Sequence, residues 1–252
     1  MQPALLGRRV LVTGSSRGLG ASIARAFADA GAGVAIHYRV DRDAAARVLE
    51  GLPCSPPSRH TLVQADLTDS DAIIRLIEKT SEFLGGLDIL VNNCGPFGLD
   101  SLTDTAPAAW DEILNANVRS TWLTSIAAAP VMREGGWGRV VNLSAGSAFV
   151  RNHSVYGLAK AALNVLTEQL AVELAPEITV NALAPGQIAE SAPVMEAYDP
   201  TFVGRFVAES PLARLVRRDE VAACVVALCT PCFNMLTGAV LPLDGGCRIA
   251  RF

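Results

Sequence analysis

The 252-residue chain reads as one α/β domain on a doubly wound parallel sheet, with helices covering both faces. Three observations predict this. Short, continuous apolar runs alternate with longer amphipathic stretches from one end to the other. A glycine-rich turn follows the first apolar run. No repeat, low-complexity tract or break in composition divides the chain.

The elements follow in order. Val10-Leu11-Val12 is a buried strand, and the next helix runs from about Leu19 to Ala30. Val34–Tyr38 is the second strand, followed by a helix over Ala44–Leu52. Gly51–Arg59, with Pro53, Pro56 and Pro57, is a loop, because apolar periodicity resumes directly after it. Thr61–Ala65 is the third strand and Ser70–Leu84 its helix; Ile89–Asn92 is the fourth. One long helix spans roughly Ala108–Met132 before the fifth strand, Arg139–Leu143. Ala161–Ala175 is helical, and Ile178–Ala182 is a sixth strand. Right-handed crossovers between parallel strands then give the doubly wound sheet.

Composition removes several function classes. Half of the residues are apolar and mean hydropathy is positive, enough for a sizeable core. Lys+Arg number 21 against Asp+Glu 25, a formal charge of −4, which gives no basis for nucleic-acid binding. No apolar run approaches the ~18–20 residues of a membrane helix, so no membrane partner is expected. The first ten residues lack the order of a secretory signal, which predicts a cytoplasmic protein. The six cysteines, Cys54, Cys94, Cys224, Cys229, Cys232 and Cys247, then read as packed free thiols. Cys229-Thr230-Pro231-Cys232 is a lone CxxC, and His37, His60 and His153 show no ligand spacing with it, so no metal site is expected.

Thr13-Gly14-Ser15-Ser16-Arg17-Gly18-Leu19-Gly20 joins the first strand to the first helix. Gly14 permits a sharp turn, while Gly18 and Gly20 let backbone approach a pyrophosphate at the helix N-terminus. The segment from Gly14 to Gly20, with Ser16, Arg17 and Leu19, is the candidate phosphate cradle. The second strand ends His37-Tyr38-Arg39, with no carboxylate before Asp41. Arg39 and Arg17 could clamp an adenosine 2′-phosphate, which predicts NADP(H). Asp41 and Asp43 lie close enough to leave NAD(H) open.

Tyr156 and Lys160 stand four apart, one helical turn from each other. A neighbouring ammonium favours the phenolate, and a cationic nicotinamide would add to it, together worth ~3–4 kcal/mol. With these motifs in place, nearly the whole chain resembles the short-chain dehydrogenase/reductase family, whose members carry a Rossmann-type domain. Gly14, Gly18 and Gly20 match its glycine motif, and Tyr156 and Lys160 its YxxxK pair. Asp66-Leu67 falls where the family contacts adenine. Asn92-Asn93-Cys94-Gly95 resembles NNAG, with Asn93 and Gly95 at the coenzyme. Asn117 matches the helix asparagine that anchors a proton-relay water. Pro185-Gly186 matches the turn after the sixth strand, and Leu243-Asp244-Gly245-Gly246 the C-terminal signature. His37-Tyr38-Arg39 is similar to endings in NADP(H)-preferring 3-oxoacyl-carrier-protein reductases and pteridine reductases.

The resemblance implies hydride transfer between nicotinamide C4 and a carbonyl or alcohol carbon of a small molecule. Tyr156 would be acid in reduction and base in oxidation, and Lys160 would hold the nicotinamide ribose. It also implies a homo-oligomer, tetramer or dimer, and the helix face with Leu163, Leu166 and Leu170 fits an interface or a core. Residues 188–214 fall where the family carries a substrate lid. Their apolar content, with Phe97, Phe149 and Val150, suggests a moderately apolar carbonyl compound. His153 reads as a surface loop histidine.

Two positions depart from the family. Its catalytic serine falls at Ala145; Ser144 is the expected substitute and Ser147 the alternative, and a lost donor typically costs ~10²–10³ in rate. After Pro185-Gly186, Glu190 stands where the family has threonine, a carboxylate near the coenzyme phosphates unless it turns outward. Ile188 would contact the carboxamide through its backbone. An NAD-linked alcohol dehydrogenase and a catalytically impaired dinucleotide-binding protein are the competing functions.

Overall fold

The computed structural model describes residues 4–53, 56–98, 100–149 and 154–249. Cys54, Val150 and His153 lie outside the described residues. The strands are β1 (Arg9–Val12), β2 (Gly33–Tyr38), β3 (His60–Gln64), β4 (Ile89–Asn92), β5 (Gly138–Leu143), β6 (Ile178–Pro185) and β7 (Val240–Leu243). All pair in parallel, in the order β3-β2-β1-β4-β5-β6-β7. Only the first six were expected. In β7, Pro242 lacks an N–H, which a strand tolerates at an edge, and among the described residues β7 pairs with β6 alone.

The helices are α1 (Gly18–Asp29), α2 (Arg42–Glu50), α3 (Ser70–Leu84), α4 (Pro107–Leu114), α5 (Ser120–Glu134), α6 (Val155–Glu173), α7 (Ala192–Tyr198), α8 (Phe202–Glu209) and α9 (Arg218–Leu228). Strand alternation splits the core between the two faces. Val10 and Val12 of β1 pack with Ile23 and Phe27 of α1 and Val221 and Val225 of α9. Leu11, on the other face, joins Ile73 and Leu76 of α3, Met132 of α5 and Leu170 of α6.

The chain leaves β1 towards β2 and returns across to β4 on β1's other side. The order therefore reverses between β1 and β4, which opens a crevice at their C-terminal ends. The single helix expected over 108–132 is instead α4 and α5, joined by a π-helical turn, Asn115–Arg119, with Asn117 inside it. Residues 189–215 form an excursion closed at its neck. Ala189 N–H donates to Val216 O at 2.8 Å, and Val216 N–H to Gln187 O at 3.2 Å. The α6 face is also settled: Leu163 and Leu170 are 1% and 2% exposed, in the core. The outward stripe is Leu158, Val165 and Val172, at 44%, 58% and 78%.

Candidate active site

Between β1 and α1 the chain turns on Gly14, whose φ of +63° suits glycine. Asn93, at the end of β4, staples this turn: its Nδ2 donates to Thr13 O at 2.9 Å and Gly14 O at 3.2 Å. Thr13 Oγ1 accepts in return from the backbone of Asn93 and Cys94. A Cβ on Gly20 would strike Gly14 O and press Asn93 Nδ2 at 2.6 Å, so only glycine lets α1 close on the turn. Helix α1 starts without a side-chain cap, and Gly18, at φ +60°, borders open space. Uncapped N–H groups, the helix dipole and bare backbone fit a dinucleotide pyrophosphate held between Ser16 and Gly20.

At the end of β2, Tyr38 is buried and Arg39 exposed. Arg39 lies close enough to act electrostatically on both Asp66 and Cys94. Arg17 lines a different wall, a groove of about 620 Å³ shared with Arg25 and Arg47 between α1, α2 and α9. Asp41 is committed elsewhere, accepting from Ala44 N–H at 2.8 Å as the cap of α2. Asp66 Oδ1 accepts from the Thr68 N–H and hydroxyl, which hold its carboxyl below the usual range. Leu67 sends its side chain into the core, so only its backbone can face a ligand.

The residues expected to react come from the π turn and α6. Ser154 caps α6, its Oγ accepting from Gly157 N–H at 3.1 Å, and so fixes where Tyr156 emerges. Lys160 is buried, its Nζ 5.5 Å from the centre of the Tyr156 ring and donating to Leu143 O at 2.7 Å. Burial pushes the phenol of Tyr156 up to about 12 and the ammonium of Lys160 down to about 8. The expected lowering of the phenol is therefore absent from the protein alone. Desolvation dominates, and the ammonium's hydrogen bond goes to a strand carbonyl. Asn117 Nδ2 donates to Pro96 O and Ile113 O, each at 3.0 Å, and its Oδ1 is buried without a partner among the described residues. That Oδ1 occupies the space a Cβ on Gly95 would need.

The two serines separate clearly. Ser144 Oγ donates to Asn164 Oδ1 at 2.6 Å, buried against α6. Ser144 is the serine expected to serve the substrate, and here its proton is engaged by Asn164. Ser147 lies on the short 3₁₀ turn Gly146–Ala148, and its Oγ is buried with no partner among the described residues. Gly146 faces Pro185 and Gly186, which places this turn against the end of β6. Gly186 in turn packs on Asp244 and donates to Leu243 O at 2.9 Å. Ile188 bridges to Val216 at the neck of the excursion. Glu190 is exposed, and both its oxygens accept from Arg218 N–H at 3.2 Å, so it turns outward to the start of α9.

Two contributors had not been read as such. His37 binds the glycine turn, and its signal was a histidine inside an otherwise apolar strand. Thr13 is the other, visible only as the residue before Gly14.

A parallel sheet with a switch-point crevice, a glycine turn on a helix N-terminus and a tyrosine–lysine pair defines a dinucleotide-binding oxidoreductase of the α/β class. Comparison with known proteins narrows this. The model of a family described as enoyl-(acyl carrier protein) reductase matches residues 14–248. Versicolorin reductase of Emericella nidulans is 34% identical, over 95% of this chain and 95% of its own length. The rhamnolipids biosynthesis 3-oxoacyl-[acyl-carrier-protein] reductase of Pseudomonas aeruginosa is 35% identical, over 96% of both chains. A short chain dehydrogenase from Burkholderia cenocepacia, solved in complex with NADP, superposes with a TM-score of 0.86 at 35% identity, covering 97% of this chain and 99% of that one. The chain belongs to the short-chain dehydrogenase/reductase family, whose members are NAD(P)(H)-dependent oxidoreductases.

Proposed function

We propose that the protein is an NADP(H)-dependent carbonyl reductase acting on a ketone of a moderately apolar small molecule or acyl chain. The observation that carries this reading is the Tyr156–Lys160 pair, a phenol held protonated by burial with an ammonium over its ring. NADPH, when bound, supplies the hydride that adds to the carbonyl carbon. Tyr156 gives its proton to the carbonyl oxygen, completing the alcohol. Lys160 stabilises the phenolate left behind and, with Asn117 holding a water, serves its reprotonation. The Ser147 O–H, which has no partner among the described residues, donates a hydrogen bond to the substrate oxygen, the part Ala145 cannot play.

Arg39, next to the buried Tyr38 at the end of β2, favours the 2′-phosphate of NADP(H) without Arg17, which lines another groove, and the engagement of Asp41 as a helix cap argues against NAD(H). The NADP complex of the Burkholderia relative supports the same choice. The names of the Emericella and Pseudomonas relatives support carbonyl reduction. Exposed Val194, Tyr198 and Leu212 on the 189–215 excursion, with Phe97 and Phe149, support an apolar substrate under a lid. The outward stripe of α6 and the exposed Trp122 and Ile126 of α5 support a homotetramer or dimer. Cys94, Cys224, Cys229 and Cys232 are free thiols, which supports a cytoplasmic setting. Among the described residues no helix is long and apolar enough to cross a membrane.

The test is a panel of aliphatic and aromatic ketones assayed by NADPH consumption, with NADPH and NADH titrated against the parent and Arg39→Asp. The expected result is turnover by the parent and at least tenfold weaker NADPH binding by the variant. Equal NADPH binding by both proteins would overturn the coenzyme choice. No turnover of any ketone, with no difference in Tyr156→Phe, would leave only a dinucleotide-binding protein.

A further inference from the structure

We propose that His37 is a positioning residue for the coenzyme, joining through one neutral imidazole the three backbone segments that meet at its adenosine end. The proposal rests on the coenzyme lying in the β1–β4 crevice.

The imidazole is 2% exposed, and both ring nitrogens are engaged. Nδ1 accepts from Gly14 N–H at 2.9 Å, while Nε2 donates to Ala65 O at 3.1 Å. A ring that accepts at one nitrogen and donates at the other must be the neutral Nε2–H tautomer. Burial, which pushes His37 down to about 4, agrees with this. The backbone of the same residue completes the tie. His37 N–H donates to Ser15 Oγ at 3.0 Å, and His37 O accepts from Ser15 N–H at 3.0 Å.

Each segment so joined leads into the seat assigned to the coenzyme. Gly14 and Ser15 open the phosphate cradle. Tyr38 and Arg39 follow His37 directly, at the 2′-phosphate. Asp66 and Leu67 follow Ala65, at the adenine. Because His37 occupies the N–H groups of both Gly14 and Ser15, contacts to the coenzyme phosphates begin beyond Ser15, at the uncapped start of α1. The chemistry by Tyr156 lies on α6 and does not touch this tie.

The test compares His37→Asn, His37→Gln and His37→Phe by titration of NADPH and NADH, with kcat at saturating coenzyme and Tm alongside. Asparagine places an amide oxygen where Nδ1 stood and keeps the acceptor for Gly14. Glutamine reaches towards Ala65 but vacates that place, and phenylalanine does neither. The expected result is a coenzyme Kd within about threefold of the parent for the asparagine variant. For the other two, Kd rises at least tenfold, with kcat at saturating coenzyme within twofold. A merely structural role would lower Tm in all three variants and leave Kd equal across them, and that result overturns the proposal. Should a variant fail to fold, the ¹⁵N imidazole spectrum of the parent decides: unprotonated Nδ1 at neutral pH supports the tie, and a protonated Nδ1 overturns it. A parent that binds neither coenzyme overturns the functional reading itself.

Discussion

The two walls of the crevice are built on opposite principles. On the wall from β1, β2 and β4, the polar groups around the glycine turn are mutually engaged: Asn93 with Thr13 and Gly14, His37 with Gly14, Ser15 and Ala65. On the wall from the π turn, β5 and α6, Asn117 Oδ1 and Ser147 Oγ are buried without partners among the described residues. A buried polar group left unpaired costs about 1–3 kcal/mol, so such groups need a reason, and a reacting partner is one. On the proposed function, the difference teaches that the coenzyme seat would be assembled beforehand, while the reacting wall would hold its hydrogen-bonding capacity for the substrate and the relay water.

The largest effect should come from the reacting wall. Tyr156→Phe removes the proton donor and should lower kcat by about 10³-fold, within the range for a lost general acid, with the NADPH Kd unchanged. Stopped-flow turnover and fluorescence titration check both halves. Loss of NADPH binding in this variant would break the separation between the walls.

The engaged wall should respond through stability. His37 has a folded value near 4 against an ordinary 6.5, so between those limits the folded state binds fewer protons than the unfolded. Its contribution is complete above pH 6.5 and is lost as pH falls towards 4, in total about 3 kcal/mol. Denaturant titrations of the parent and His37→Asn across that window should differ by this slope. Asp66, which acts on His37, is common to both proteins. Parallel pH profiles would show that the imidazole is not held neutral.

The two serines sharpen the contrast within one wall. Ser147→Ala should lower kcat by about 10²-fold with little change in stability. Ser144→Ala should do the reverse, leaving Asn164 Oδ1 unpaired at a cost of about 1–3 kcal/mol. Adding Ala145→Ser to Ser147→Ala should recover much of the lost rate. Equal kcat in the parent and Ser147→Ala would remove the serine from the mechanism.

In the engaged wall the glycine turn was legible, although the Thr13 and His37 ties that hold it were not. Val10–Gly20 announces strand, turn and helix because glycine spacing and apolar runs are local signals. Tyr156 and Lys160 were legible for the same reason, being one turn apart on one helix. What escaped depends on contacts made from afar. Pro242 hides β7, because whether a proline is tolerated depends on which edge of the strand is paired. The π turn holds Asn117, whose amide reaches Pro96, far back in the chain. The choice between Ser144 and Ser147 turns on Asn164. Leu163 and Leu158 are the same residue type on one helix, and only the sheet beneath decides which is core.

The smallest effect belongs to Glu190, which belongs to neither wall. By position it threatened the coenzyme phosphates with a like charge, yet both its oxygens accept from the first N–H of α9. A carboxylate there also meets the favourable end of the helix dipole, as Asp219 and Glu220 do in the first turn. Glu190→Ala should therefore cost about 0.5–1 kcal/mol, as for a lost helix cap at an exposed site. NADPH affinity should change by less than twofold, because the charge removed already faces away from the cradle. Calorimetric titration with NADPH reads this directly. A tenfold gain in affinity would mean that the carboxylate does repel the phosphates, and that its place at α9 is not the one it keeps when the coenzyme arrives.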